Sequence, residues 1–161
     1  MSQPAEPTSV LSPEEVLRRS GVPFTVFDHV PIVGQEDAET TLGLTTEQLL
    51  KTMVFRTADG GFVLAALPVT GRVNYGRLAR AAGVSRAKLR QAEPGELSLL
   101  GMEPGGASPV CDLPDVVIVF DTAVTRMGTV YCGSGRADRT VRIEAAQLIE
   151  LVGPKIEELS Q

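Results

Sequence analysis

Phe62-Val63-Leu64-Ala65-Ala66-Leu67 is an unbroken apolar run, preceded across an Asp59-Gly60-Gly61 turn by Leu50-Lys51-Thr52-Met53-Val54-Phe55-Arg56. Asp-Gly at such a point favours a tight hairpin. A strand with no polar alternation is buried on both faces, so other elements must pack on each side of it. The 161 residues are enough for one core, burying roughly 70% of the unfolded surface.

The flanking segments supply the layers. Ser12-Pro13-Glu14-Glu15 opens a helix with a capping hydroxyl, Pro in the first turn and acids at the positive dipole end; Gly21 closes it. Phe24–Phe27 alternates as a strand. Residues 31–37 read as a loop, Ala38–Leu42 as a short helix and Thr45–Gln48 as a further helical turn. Tyr75–Ala82 is a helix stopped by Gly83, and Ser85 is placed to cap another through about Ala92. Leu97–Ser108 is dense in turn residues. Val116–Phe120 is a buried strand, Thr129–Cys132 and Thr140–Ile143 are strands, and Glu144–Leu151 and Pro154–Leu159 are terminal helices. Helices and strands mix without strict βαβ alternation, which predicts an α+β fold with a mixed sheet. Residues 1–11 read as a flexible polar leader, and residues 12–161 as a single domain.

Several function classes are disfavoured. No apolar run reaches the roughly 18–20 residues of a membrane span, and no cationic, then apolar, secretory leader is visible. Two cysteines, Cys111 and Cys132, make no disulfide framework and predict a reduced, cytoplasmic setting. With His29 the only histidine, a structural zinc site is not expected, and no pattern asks for a metal or organic cofactor. A net charge of −5 opposes broad binding to DNA or RNA backbone. Neither a P-loop, a Rossmann fingerprint nor a Gly-x-Ser-x-Gly elbow is present.

Four features can carry chemistry. Lys51 is one of only three lysines and lies between Leu49-Leu50 and Met53-Val54-Phe55, where its ammonium must face solvent, a partner or a ligand. Gly105-Gly106-Ala107-Ser108-Pro109 can bring backbone amides close to a carbonyl oxygen or an anion. Gly133-Ser134-Gly135 follows a strand and offers a hydroxyl; any imidazole base for it must be His29. Finally, Arg72, Arg77, Arg80, Arg86, Lys88 and Arg90 lie between Gly71 and Gln91 with no Asp or Glu among them, a local basic island.

In order, Leu42-Gly43-Leu44, Lys51-Thr52-Met53-Val54, the segment at Leu78-Ala79, Gly101 with Gly105–Pro109, Val116–Asp121, and Thr129-Val130-Tyr131 leading into Gly133-Ser134-Gly135 resemble the YbaK-type aminoacyl-tRNA editing domains, also called the prolyl-tRNA synthetase-associated domain. The resemblance spans roughly residues 12–159. It implies a strongly curved mixed sheet, partly barrel-like and flanked by helices. It implies hydrolysis of the ester of a mischarged tRNA of the Cys-, Ala- or Ser-tRNA-Pro type. The partners are then aminoacyl-tRNA and a synthetase in trans, since 161 residues leave no room for a synthetase catalytic domain. Lys51 maps to the central functional residue and Gly105 to an oxyanion donor. Thr52, Met53, Gly106, Ser108, Pro109, Gly133, Ser134 and Gly135 line the substrate, and the basic island meets the acceptor end. The chain departs from the family where Ser commonly precedes the later glycine pair, at Pro109-Val110-Cys111, and at Thr140, near which an acid is common. Those departures near Gly133 and Thr140 motivate a second reading, a binding module of the same fold for aminoacyl-tRNA, a nucleotide-like ligand or a protein partner; a third is a Schiff-base enzyme using Lys51 as a desolvated amine.

Overall fold

The computed structural model describes residues 10–31 and 43–161. The expected short helix at 38–42, most of the loop at 31–37 and the first nine residues of the leader lie outside the described residues. The apolar run forms β3 (Phe62–Pro68), antiparallel to β2 (Leu50–Thr57) with Lys51 opposite Leu67 and Val54 opposite Leu64. On its other edge β3 runs parallel to β5 (Val116–Asp121). Edge strands β4 (Leu89–Gln91) and β8 (Lys155–Glu157) complete a mixed sheet of order β4-β2-β3-β5-β8. A second, antiparallel sheet has the order β1-β7-β6, formed by β1 (Thr25–Asp28), β6 (Thr129–Gly133) and β7 (Arg139–Glu144). The two sheets meet where Leu49, just before β2, bridges Tyr131 of β6 in parallel.

Helices α1 (Pro13–Ser20), α2 (Tyr75–Ala82) and α3 (Ala145–Val152) flank the sheets. Residues Val63 to Leu67 are wholly buried, and alternation explains why none is polar. Val63, Ala65 and Leu67 pack with Phe55 and with Leu78 and Ala79 of α2. Leu64 points the other way, onto Val54, Leu100 and Met102, and Ala66 joins Leu17 of α1 and Leu148 of α3. The cap on α1 forms as expected, Ser12 Oγ accepting from the Glu15 amide at 3.2 Å.

Three expectations are corrected. The helix from Ser85 to Ala92 is a single 3-10 turn, Arg86–Lys88, followed by β4. Ser85 makes no side-chain cap; the open edge of β2 at Phe55–Thr57 takes up this backbone instead, while Leu89 is buried against α2. The helix at Pro154–Leu159 is edge strand β8 and an extended tail. Asp121 Oδ1 accepts from the Leu159 and Ser160 amides at 2.7 and 3.0 Å, holding the chain out straight. In β5, only Val119 to Asp121 are buried; Val116 to Ile118 are half-buried near the sheet end. Among the described residues no helix is long and apolar enough to cross a membrane.

Candidate active site

The bridge between Leu49 and Tyr131 decides which side chains share a face. Counting two residues along each parallel strand brings Lys51 beside Gly133. Gly133 is paired with Thr140 of β7, and Thr140 with Phe27 of β1. Side chains alternate, so Lys51, Tyr131, Gly133, Thr140 and Phe27 lie on one face. The intervening Leu50, Cys132 and Val141 lie on the other, inside one core cluster. Adjacent strands are about 4.8 Å apart, so Lys51 and Thr140 are about two strand spacings from each other.

Burial lowers the pKa of Lys51, and the neighbouring Arg72 guanidinium lowers it further. Both effects disfavour the charged ammonium unless an anion joins it. Met53 shares this face and packs against the α2 cluster. Thr52 points to the opposite face, where its Oγ1 is buried without a hydrogen-bond partner among the described residues.

The two glycine loops pack directly on each other. Gly135 N donates to Gly106 O at 2.8 Å, and Glu103 N to Gly135 O at 2.7 Å. A Cβ on Gly133 would stand 1.9 Å from Ala107 O, and one on Gly106 2.5 Å from the Arg136 carbonyl carbon. These glycines therefore serve the contact between loops, which sets the Gly106–Ala107 backbone directly on Gly133. The Gly106 amide is occupied, donating to Glu103 O at 2.9 Å; Gly105 is exposed, with φ +87°. Ser108 is fully buried, its Oγ accepting from Val110 N at 3.1 Å, and Pro109 is buried beside it. Ser134 Oγ is buried too and donates to Arg139 O at 2.8 Å. Both hydroxyls hold loop backbone in this structure.

The basic island is partly neutralised by acids that lie outside it. Arg90 makes a bidentate pair with Glu96 at 3.0 and 2.9 Å. Arg77 donates to Ser160 O at 2.6 Å and lies 4.0 Å from Glu158. Arg86 stacks over Tyr75, 4.6 Å from the ring centre, and Arg80 lines a depression with Glu157 and Glu158. Arg72 remains beside Lys51. The Arg90 hydrogen bonds, with that of the Glu93 amide, hold the Glu96 carboxyl at about 2. A depressed carboxyl stabilises the fold above its unfolded value of about 4.3 and loses that contribution as the pH falls through its folded value. The Glu96 carboxyl carbon should therefore titrate by NMR with a midpoint near 2; a midpoint in the ordinary carboxylate range would break the assigned pair.

One feature of this face was not legible in the sequence. His29 Nε2 lies 2.7 Å from Thr140 Oγ1, and Nδ1 lies 2.7 Å from Val30 O. The partners are 111 positions apart, and no local spacing announces them. Cys132 is fully buried, which pushes its thiol up to about 12, and burial also raises half-buried Cys111. Neither is poised as a thiolate. No cluster of three or more His, Cys, Asp or Glu able to hold a metal occurs among the described residues.

The profile of the aminoacyl-tRNA editing domain matches residues 29–151, a span that holds His29, Lys51, both glycine loops and Thr140. No curated protein matches the sequence. The crystal structure of a hypothetical protein is 25% identical, with a TM-score of 0.80 over 92% of this chain and 98% of its own. That of a candidate trans-editing enzyme for prolyl tRNA synthetase is 23% identical, with a TM-score of 0.71 over 94% of this chain and 99% of its own. A protein from work on epitope backbone grafting onto scaffolds is 20% identical, with a TM-score of 0.76 over 91% and 93%.

Proposed function

The chain belongs to the aminoacyl-tRNA editing domain family, and on that premise we propose that residues 12–161 form a trans-acting deacylase for a mischarged tRNA of the Cys-, Ala- or Ser-tRNA-Pro type. The observation that carries this reading is the half-buried Lys51 on the strand face that register also gives Gly133, with the Gly106–Ala107 backbone packed on Gly133.

An aminoacyl ester is already activated, so positioning and charge stabilisation suffice to cleave it. Lys51 and Arg72 bind the phosphate of the terminal nucleotide and set the ester over the glycine loops. Because the Gly106 amide is taken within its turn, the oxyanion of the tetrahedral intermediate falls to the exposed Gly105. Preorganised donors of this kind contribute about 3–4 kcal/mol each. Thr52, Met53, Ser108, Pro109, Ser134 and Gly135 then shape the pocket walls rather than react. Arg72, Arg80 and Lys88 are the members of the island left to meet the acceptor stem.

The test is deacylation of tRNA-Pro charged separately with Cys, Ala and Ser. We expect rapid loss of one aminoacyl group at catalytic protein concentrations. Saturable binding with no turnover on a complete aminoacyl-tRNA panel would instead establish a binding module of the same fold.

A further inference from the structure

The geometry points to His29 and Thr140 as a two-residue general base for the hydrolytic water, an assignment that rests on the deacylase reading of the same face. A carbonyl oxygen can only accept, so the 2.7 Å contact of Nδ1 with Val30 O places the ring proton on Nδ1. The neutral imidazole then has a bare Nε2, and the 2.7 Å contact with Thr140 Oγ1 is a hydroxyl donating to it. A base within hydrogen-bond reach of a hydroxyl, and itself oriented by a third group, is the arrangement used for proton abstraction in acyl transfer. Thr140 is 7% exposed, and its neighbour across the β6–β7 ladder is Gly133. By this register Thr140 lies on the face of Lys51 and Gly133, one strand beyond Gly133.

The surroundings leave the imidazole as the base. Asp28, on the same strand, pairs with Arg139 of β7 at 2.8 Å. Glu14 of α1 pairs with the same Arg139 at 2.8 Å. Asp138, whose carbonyl accepts from the His29 amide at 3.0 Å, has its carboxylate on Arg136 at 2.9 Å. The other titratable or charged groups on this face are Tyr131, Arg142, Lys51 and Glu144; Glu144 is four residues along β7 from Thr140, and its carboxylate accepts from Thr129 Oγ1 instead.

The proton path balances. Water oxygen bonds to the ester carbonyl carbon while a water proton passes to Thr140 Oγ1 and the proton of Thr140 passes to Nε2. Collapse of the intermediate breaks the bond between the carbonyl carbon and the ribose oxygen. The imidazolium returns its proton through the same hydroxyl to that oxygen, leaving free amino acid and tRNA.

His29→Gln retains a polar side chain that cannot take the proton; Thr140→Val removes the hydroxyl at constant shape, and Thr140→Ser restores it. Using the aminoacyl-tRNA that the wild type hydrolyses, we expect kcat to fall about 10²-fold or more in His29→Gln and in Thr140→Val. KM should be unchanged, and Thr140→Ser should keep most of the rate. The wild-type rate should decline on acidification with a one-proton limb that His29→Gln lacks. A tie that merely supports the fold would lower Tm and leave the shape of the pH profile intact. If His29→Gln fails to fold, the contrast between Thr140→Val and Thr140→Ser decides. Hydrolysis that depends on Lys51 but keeps its kcat and pH profile in these variants overturns the His29–Thr140 assignment alone. Absence of hydrolysis by the wild type overturns it together with the deacylase reading.

Discussion

Lys51→Ala should lower deacylation by about 10²–10³-fold, the scale set by losing one preorganised charged contact in an enclosed site, while the fold survives. The residue is half-buried beside Arg72, and both burial and that neighbour work against its charge. Removing the ammonium therefore relieves an unfavourable pair, so Tm should hold or rise. The lost activity has the same root: a half-buried cation held at a cost is useful when an anion joins it, and the terminal phosphate of tRNA is such an anion. Lys51→Arg keeps the charge but spreads it over a planar fork, and should recover only part of the rate. Steady-state deacylation with thermal melting of the same samples separates the two effects. Wild-type turnover by Lys51→Ala would remove Lys51 from the mechanism.

Gly133→Ala should destabilise the protein by about 3 kcal/mol or more, at the upper end of overpacking costs. The added Cβ would lie 1.9 Å from Ala107 O and 2.9 Å from Gly106 O, and backbone carbonyls cannot swing away as a side chain does. The two loops would have to separate, breaking the 2.8 Å bond from Gly135 N to Gly106 O and moving the Gly105 loop off Gly133. For a chain of this size that is a fall in Tm of about 6–12 °C, accompanied by loss of turnover. Gly95→Ala is the control, because nothing lies within 4 Å of its Cβ position and its φ is not positive; it should stay within about 0.5 kcal/mol of wild type. Equal stability of the two variants would mean that the loops are not in contact.

What could be read in advance follows the range of the forces involved. The apolar run of β3, the Asp59-Gly60-Gly61 turn, the Ser12 cap and the Gly83 stop are local signals, and each formed where its residues stand. The two failed helices are segments whose own propensity was overruled by a sheet edge: β4 completes β2, and β8 is held beside β5 by the carboxylate of Asp121. The glycines show the same division. Their motif was visible, and its use was not, because a sequence cannot say whether a bare backbone faces a ligand or another loop.

By itself the sequence determined a layered α+β chain around one doubly buried strand, an odd lysine on the neighbouring strand, and an order of motifs resembling an editing domain. Only the tertiary structure decided which groups meet. It placed Gly133 beside Lys51 through the Leu49–Tyr131 bridge and Thr140 one strand further, brought His29 to Thr140 across 111 positions, and turned Arg77 toward Glu158. Local conformation depends on neighbours within a few residues, whereas hydrogen bonds and ion pairs depend on distance in space, which is set only when the strands find their register.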